Sequence, residues 1–337
     1  MAVKVGIIGL GMMGRTHYEA YANIAEAQVV AVSDADPKRA AGDLTGTTGN
    51  VLAGGISHLP MDRIKGTTNY LDLLAMSDVD VVDVCVPTTQ HVEVATAALK
   101  AGKHVVCEKP LARTLAEGEQ IAAAAKSAKG IFMPAMVMRF WPQWVWLKRA
   151  VSEGTYGKVR SATFRRVASM PPGWYRNGAI SGGAALDLHV HDVDFVYHLF
   201  GWPKALLARG YSKTSGELDH VTAQFFYDDV PHVYAEGSWC MGDGFGFKMQ
   251  YTVNFENATA DFDLAREQRL VLSQGGKTEP VACDPGPGYE PELRYFVNCV
   301  QKGERPSVVT AEDGVQSLRM IDAERESVRS GRIITLS

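Results

Sequence analysis

The chain has 337 residues and a net charge of −4, from 34 basic and 38 acidic side chains, and 46% of it is hydrophobic. This length allows two domains that each bury a core, and the charge gives no general attraction for nucleic acids or anionic membranes. The sequence also lacks an apolar run long enough to span a bilayer. We therefore expect a soluble globular protein without nucleic-acid or membrane partners.

The first predicted element is a strand that runs into a glycine motif. The β-branched run Val3–Gly9 leads into the spacing GxGxxG, and a helix is predicted at Thr16–Ile24. In this setting the first glycine permits a tight turn, the second lets the backbone approach a pyrophosphate, and the third lets helix pack on strand. The free N–H groups of the helix start then face the phosphates. The predicted cofactor-contacting residues of this loop are Gly9, Gly11, Met12, Met13 and Gly14.

The second strand, predicted at Gln28–Ser33, ends at Asp34, twenty residues after the last glycine. An acidic side chain here accepts hydrogen bonds from the adenosine ribose and repels a 2′-phosphate, which favours NAD over NADP. Lys38 and Arg39 lie close enough to keep NADP open. The alternative is that Asp34 or Asp36 caps the next helix.

Up to about residue 136, strands that are apolar on both faces alternate with helices. Further strands are predicted at Ile64–Thr68, Val81–Val86, His104–Cys107 and Ile131–Met136, and further helices at Pro37–Ala41, Tyr70–Ala75, His91–Ala101 and Thr114–Ala128. This pattern predicts a parallel doubly wound sheet, a Rossmann domain over residues 1–138. The Gly- and Thr-rich segment Gly42–Gly66 breaks the rhythm; it borders the adenosine side of the cofactor or makes a subunit contact.

After Arg139 the pattern changes to that of an α+β domain, predicted over residues 139–337. The predicted elements are a Trp-rich helix (Trp141, Trp144, Trp146), a strand at Lys158–Arg166, a helical run at Gly183–Phe200, alternating segments at His220–Tyr227, His232–Met241 and Phe247–Leu264, and helices at Glu290–Lys302 and Ala311–Ser330. Long alternating segments indicate an open, mostly antiparallel sheet, whose uncovered face invites a subunit partner. The last helix is able to pack back on the first domain.

Ligands of a doubly wound sheet gather outside the carboxyl ends of its strands. Pro87, Thr88 and His91 follow the fourth predicted strand, and Glu108 and Lys109 follow the fifth. We expect all five to face the cofactor, with Lys109 at the nicotinamide end. The alternatives are a solvated surface lysine and a histidine that merely begins a helix.

A second group of polar side chains lies on the predicted helix Gly183–Phe200. Asp187 and His191 are four residues apart, so they share a helix face, which Asp194 and His198 continue. The simplest alternative is a surface helix with a polar side. The run 189–192 also resembles a metal site, but zinc needs three or four converging ligands, so we expect no metal.

The cysteines indicate a reducing environment. The five residues are scattered and contain no CxxC pair: Cys85, Cys107, Cys240, Cys283 and Cys299. Since the first predicted strand begins at Val3, we expect no signal peptide. We expect reduced thiols in a cytoplasmic protein.

Three separated motifs resemble the Gfo/Idh/MocA family of glucose–fructose oxidoreductase and inositol dehydrogenase. They are GxGxxG at Gly9–Gly14, Glu108-Lys109-Pro110, and Gly182-Gly183-x-x-x-Asp187-x-x-x-His191. The resemblance covers nearly the whole chain. It implies an N-terminal domain that binds NAD(P), and a C-terminal domain that supplies substrate groups and the interface of a homodimer or homotetramer.

The same resemblance implies that Lys109 contacts the substrate and the nicotinamide ribose, and that Asp187 and His191 work at the reacting hydroxyl. Alcohol oxidation needs proton removal while a hydride leaves, and a histidine suits that transfer. We expect His191 to be the general base, Lys109 to stabilise the alkoxide, and Asp187 to orient the imidazole or hold a neighbouring substrate hydroxyl. The alternative makes Lys109 the base and His191 a positioning group.

More distant substrate contacts are predicted at Arg139, Trp174 and Tyr175. Arg139 resembles a position that lines the family's substrate cleft, and a structural ion pair at the domain junction is the alternative. Trp174 and Tyr175 lie in a Pro-rich loop, where they stack on a sugar ring or serve as packing residues.

The sequence thus predicts an NAD-dependent dehydrogenase that acts on a hydroxyl of a sugar, cyclitol or derivative. The alternatives are an NAD-using glycosidase or lyase with transient oxidation, a non-catalytic regulator that responds to dinucleotide, and a metal-dependent hydrolase.

Overall fold

The structure, a computed structural model, describes residues 2–47 and 55–336. The chain divides into two units, which we call the first unit (Met1–Val137 and Gly288–Val315) and the second unit (Met138–Pro287 and Gln316–Ser337). The sequence predicts a second domain over residues 139–337, which includes the segment Gly288–Val315. In the structure this segment belongs to the first unit, because its helix α10 (Tyr289–Lys302) packs against helix α1 (Met12–Tyr21).

Within the described residues, six parallel strands form the sheet of the first unit. They are β1 (Val3–Ile8), β2 (Ala27–Ser33), β3 (Lys65–Thr67), β4 (Val81–Val84), β5 (His104–Glu108) and β6 (Phe132–Ala135). The helices that follow α1 are α2 (Pro37–Ala40), α3 (Tyr70–Leu74), α4 (His91–Lys100) and α5 (Leu115–Ser127). The alternating pattern therefore predicts each of these elements correctly, with ends that differ by a few residues.

The spatial order of these strands is β3-β2-β1-β4-β5-β6. The order reverses between β1 and β4, which is the switch point where such sheets bind ligands. This confirms the doubly wound parallel sheet. In the segment Gly42–Gly66, a backbone hydrogen bond joins Leu44 to Ser57 at 2.8 Å, and residues 48–54 lie outside the described residues. The predicted role of this segment stays a prediction.

The second unit holds the remaining strands and helices, apart from α10 and the start of the last helix. The strands are β7 (Val159–Ser169), β8 (Ala205–Tyr211), β9 (His220–Phe226), β10 (His232–Met241), β11 (Phe247–Phe255), β12 (Thr259–Asp263), β13 (Leu270–Gln274), β14 (Lys277–Pro280) and β15 (Ile334–Thr335). The helices are α6 (Pro142–Ser152), α7 (Gly178–Ser181), α8 (Gly183–Asp187), α9 (Val190–Phe200) and α11 (Ala311–Ser330), whose first turn belongs to the first unit.

In the part of the chain that the structure describes, the second sheet has the order β14-β13-β12-β11-β7-β10-β9-β8-β15. Its neighbours are antiparallel except for β7 and β10, which are parallel. The predicted open, mostly antiparallel sheet is therefore confirmed. The Trp-rich helix packs into its core, since the Trp144 ring meets those of Tyr251 and Phe262 edge-on at 4.9 and 4.5 Å. Edge-to-face geometry of this kind is favourable for aromatic rings.

Across residues 2–47 and 55–336, no helix combines the length and the apolar character that crossing a bilayer requires.

Candidate active site

The glycine loop between β1 and α1 is shaped by backbone contacts. Gly9 has φ +94°, and a Cβ there would lie 2.6 Å from the Cys85 carbonyl group. A Cβ at Gly14 would overlap the carbonyl oxygen of Gly9, whereas the same position at Gly11 is open. Close packing therefore requires the outer two glycines, and the middle one leaves backbone accessible to a ligand.

Helix α1 starts at Met12 without a side-chain cap on its first N–H groups. Uncapped N–H groups at a helix start attract an anion, and a pyrophosphate is the anion that this loop fits. The residues present thus fit the predicted dinucleotide, with the backbone of Gly11, Met12 and Met13 on the phosphate side.

Asp34, directly after β2, is bonded to the glycine loop. Its Oδ2 accepts from the Leu10 N–H at 2.7 Å and its Oδ1 accepts from the Asp36 N–H at 2.8 Å. Arg39 pairs with the same carboxylate at 3.0 Å. Asp36, rather than Asp34, caps α2 by accepting from the Lys38 N–H at 2.9 Å. The capping alternative therefore holds for Asp36, and the ribose contact of Asp34 stays a prediction.

Asp34→Ala should weaken NAD binding about tenfold or more, because a hydrogen bond to a charged group is worth about 1.5–3 kcal/mol. The substitution also frees Arg39 for a 2′-phosphate, so the ratio of NAD to NADP affinity should fall. Titration of both dinucleotides, followed by fluorescence, measures the ratio. Asp36→Ala is the control, since it keeps Asp34 and its 3.0 Å pair with Arg39 while removing a helix cap worth about 1 kcal/mol and the longer 3.9 Å pair of Asp36 with Arg39. An unchanged ratio in Asp34→Ala, or tighter NADP binding by the wild type, contradicts our interpretation.

His91, at the start of α4, is buried. Its Nδ1 lies 2.9 Å from the Pro110 carbonyl oxygen and its Nε2 lies 3.0 Å from that of Val86. Burial lowers its pKa, against the opposing effect of these carbonyls. His91 therefore holds the loop after β4, with Pro87 and the buried Thr88, to the loop after β5. The predicted contact of His91 with the cofactor stays a prediction.

Glu108 is the last residue of β5, the strand beside the switch-point strand β4, and Lys109 follows it directly. The Glu108 carboxylate is buried, and its Oε2 accepts from the Lys109 backbone N–H at 3.0 Å. Its Oε1 lies 3.0 Å from Nε2 of His17, on α1. Glu108 thus contacts His17 inside the protein, and the predicted cofactor contacts of Glu108 and Lys109 stay predictions.

In the second unit, Asp187 ends α8 and His191 lies at the start of α9. The predicted continuous helix Gly183–Phe200 is wrong, because the chain opens at Leu188 and His189. The His189 N–H donates at 2.8 Å to the Ala184 carbonyl, five residues back, which widens the turn. Asp187 and His191 are therefore four apart in sequence but lie on separate helices.

The break has a physical reason in the packing of His189. A Cβ at Gly237 of β10 would lie 2.5 Å from the His189 Cβ. Only a glycine at this position therefore lets the His189 side chain pack against the strand. The ring is buried, and its Nε2 lies 3.3 Å from Oε1 of Glu324 on α11. Burial lowers the pKa of His189, but the Glu324 carboxylate outweighs it and the net pKa is raised.

Buried ion pairs fix α9 in the second unit. Arg166 of β7 makes two hydrogen bonds to the Asp192 carboxylate at 2.9 and 3.0 Å. Arg139 does the same to Asp194 at 2.9 and 2.7 Å, and the Ser317 hydroxyl donates to Asp194 at 3.2 Å. Planar guanidinium–carboxylate pairs define orientation strongly. The alternative of a surface helix with a solvated polar side is thus wrong, since Asp192 and Asp194 are buried and anchor the helix that carries His191.

The contacts of Arg139 and Tyr175 favour structural roles, an ion pair for Arg139 and packing for Tyr175, over direct substrate contacts. The Arg139 side chain is 3% exposed and is committed to Asp194. Tyr175 stacks on Trp174 at 4.0 Å and meets Trp239 edge-on at 5.5 Å. Trp174 is half-buried on the outer side of this stack, so it is the better placed of the two aromatics to contact a ligand.

Sequence reasoning missed a buried polar group in the first unit. Over the described residues, His17, Asp83 and Cys85 form a cluster of side chains able to hold a metal ion. Their spacings are those of hydrogen bonds: His17 Nδ1 lies 2.9 Å from Asp83, and the Cys85 thiol donates to Asp83 at 3.3 Å. The signal was available, since Asp83 interrupts the apolar run of β4 and a buried carboxylate requires partners.

Comparison with known proteins connects these features. Residues 3–136 match the model of an oxidoreductase family with an NAD-binding Rossmann fold, and residues 144–261 match a GFO/IDH/MocA C-terminal domain. The chain is 30% identical to inositol 2-dehydrogenase of Acidothermus cellulolyticus, over 98% of this chain and 93% of that protein. It is 29% identical to myo-inositol 2-dehydrogenase of Thermotoga maritima, over 99% and 98%. A solved levoglucosan dehydrogenase in complex with NADH and levoglucosan has the same fold, with TM-score 0.84 and 22% identity over 99% of each chain.

Proposed function

The chain belongs to the Gfo/Idh/MocA oxidoreductase family, and on that premise we propose that it oxidises or reduces a hydroxyl-bearing carbon of a cyclitol or sugar. It is an NAD-binding dehydrogenase or reductase that acts on CH–OH groups. A polyol substrate is supported by two relatives that match over nearly their full length and are named inositol 2-dehydrogenase and myo-inositol 2-dehydrogenase. The observation that carries the proposal is the location of Lys109 at the end of β5, in the unit whose glycine loop fits the dinucleotide.

The bound nicotinamide supplies the hydride acceptor or donor. The chain supplies proton transfer and charge stabilisation. His191 takes the hydroxyl proton, because an imidazole titrates near neutrality. Lys109 donates a hydrogen bond to the reacting oxygen and stabilises the developing alkoxide. Asp187 orients the imidazole or holds a neighbouring hydroxyl. The reverse assignment, with Lys109 as base and His191 as positioning group, uses the same residues.

The aromatic pair Trp174 and Tyr175 offers a further substrate contact. The packing of Tyr175 on Trp239 leaves Trp174 as the ring to stack on a sugar. The half-exposed alternate side chains of β9 support a second copy of the chain as partner for this sheet, in a homodimer or homotetramer.

The test is absorbance at the NADH wavelength with a panel of cyclitols, sugars and sugar acids. We expect NADH to accumulate with at least one polyol, faster with NAD than with NADP, and without sensitivity to chelators. Substrate consumption with no net NADH would instead support a glycosidase or lyase that oxidises transiently. Tight NAD binding without turnover of any compound would support a regulator and contradict the proposal.

A further inference from the structure

His17 lies at the centre of a buried ionic cluster under the cofactor loop. It follows the last glycine of the motif by one helical turn and is fully buried. Its Nδ1 lies 2.9 Å from Oδ2 of Asp83, and its Nε2 lies 3.0 Å from Oε1 of Glu108. The second contact is an ion pair rather than a well-aligned hydrogen bond. Since both ring nitrogens face carboxylates, only an imidazolium satisfies both sides.

The surroundings of His17 agree with that charge. Burial lowers its pKa, but the neighbouring Asp83 carboxylate outweighs this effect and the net pKa lies well above its usual range. Burial raises the pKa of Glu108, yet the adjacent His17 imidazolium brings it below its usual range. Burial and Asp83 raise the pKa of the Cys85 thiol, so the thiol stays neutral and donates to Asp83. The Tyr289 ring, 6.1 Å away, faces the imidazole from α10.

One residue, Glu108, connects the cluster to Lys109. Oε1 of Glu108 forms the ion pair with His17, and Oε2 accepts a hydrogen bond from the Lys109 backbone N–H at 3.0 Å. One carboxylate therefore links the helix that begins at the glycine loop to the backbone of Lys109. An imidazolium that fixes this carboxylate also fixes the direction in which the chain leaves β5.

We propose that His17 is a positioning residue, which acts through Glu108 to set the backbone of Lys109 for hydride transfer. The inference rests on the proposed function of Lys109. It differs from a purely stabilising role, which would lower the amount of folded protein without a specific effect on the lysine.

The kinetic test is a double-mutant cycle with His17→Gln and Lys109→Ala. Glutamine cannot present two donors in opposite directions, so His17→Gln should lower kcat about tenfold or more and change the Kd for NAD about threefold or less. In the Lys109→Ala background, the same substitution should change the residual turnover less than about twofold, because coupled residues are not additive. An equal fold-loss in both backgrounds would overturn the proposal.

Two further variants separate positioning from stability. Ile121→Ala, in the buried face of α5, is a destabilised control from the same unit and should keep wild-type kcat per folded molecule. A loss of kcat in Ile121→Ala equal to that of His17→Gln would overturn the proposal. Glu108→Gln keeps an acceptor for the Lys109 N–H but removes the charge, so it should reproduce the kinetic pattern if His17→Gln fails to fold. Wild-type kcat in Glu108→Gln would also overturn the proposal.

A spectroscopic experiment tests the positioning of Lys109 without any substrate. Reductive ¹³C-methylation labels lysine amines, and the Lys109 signal is the one that Lys109→Ala lacks. His17→Gln should shift this signal and leave that of Lys126, exposed on α5, in place. An unmoved Lys109 signal, or a stoichiometric transition metal bound by His17, Asp83 and Cys85, overturns the inference. Absence of turnover in the wild type with a shifted signal would refute only the proposed function.

Discussion

Lys109→Ala should lower kcat for polyol oxidation by about 10²- to 10⁴-fold while the affinity for NAD stays largely intact. The lysine ends β5, and its ammonium is the positive charge proposed to stabilise the alkoxide. Loss of such a preorganised group typically costs this much in the transition state. The cofactor keeps the glycine loop and Asp34, so its binding should change little. Stopped-flow measurement of NADH formation and a separate NAD titration give the two quantities.

The control for this variant is Lys126→Ala, which removes an exposed lysine from α5 in the same unit. It should have wild-type kcat and wild-type NAD affinity. Turnover by Lys109→Ala within a few-fold of the wild type would remove the lysine from the mechanism.

His191→Ala should cause a loss of similar size, about 10²- to 10⁴-fold in kcat, since it removes the proposed proton acceptor. NAD affinity should again be preserved, because His191 belongs to the second unit and the glycine loop to the first. Added imidazole should restore part of the activity if His191 is the base, and should have no effect if it only positions the substrate. The rates at increasing imidazole concentration therefore distinguish the two assignments.

His232→Ala is the matched control, an exposed histidine on β10 of the same unit. It should neither lose activity nor respond to imidazole. Near-normal turnover by His191→Ala would contradict both the general-base and the positioning assignments.

The sequence predicts the elements of the first unit well because their signals are local. A parallel strand buried on both faces is an unbroken apolar run, and glycines mark its turn to the helix. The position of Asp34 follows from the same spacing, and the structure adds only that Leu10 and Arg39 already contact its carboxylate.

The failures concern contacts between residues that are distant in sequence. Helical periodicity over Gly183–Phe200 gives no sign that His189 will pack on Gly237 and Glu324 and open the turn. In the same way, Asp192 and Asp194 look like solvated charges until Arg166 and Arg139 are placed beside them. Tertiary packing of this kind overrides local preference.

The buried cluster of the first unit was missed for a related reason. The GxGxxG motif accounts for the glycines before His17. In the sequence, the histidine itself therefore resembles an ordinary residue of an amphipathic helix. Its partners Asp83 and Glu108 belong to other strands, and only the sheet order brings β4 and β5 together under α1.

The parallel pairing of β7 and β10 has a consequence for how the protein folds. Parallel strands require a crossover connection, and here the chain between Ser169 and His232 contains both Asp187 and His191. Helix α9 packs on both strands, so the central pair of the sheet and the placement of these side chains depend on each other. Pairings of such long range form late, because chain entropy is lost before the contacts are gained. We therefore expect hairpins such as β8–β9 to form first, and His191 to reach its place only as the two halves of the sheet join.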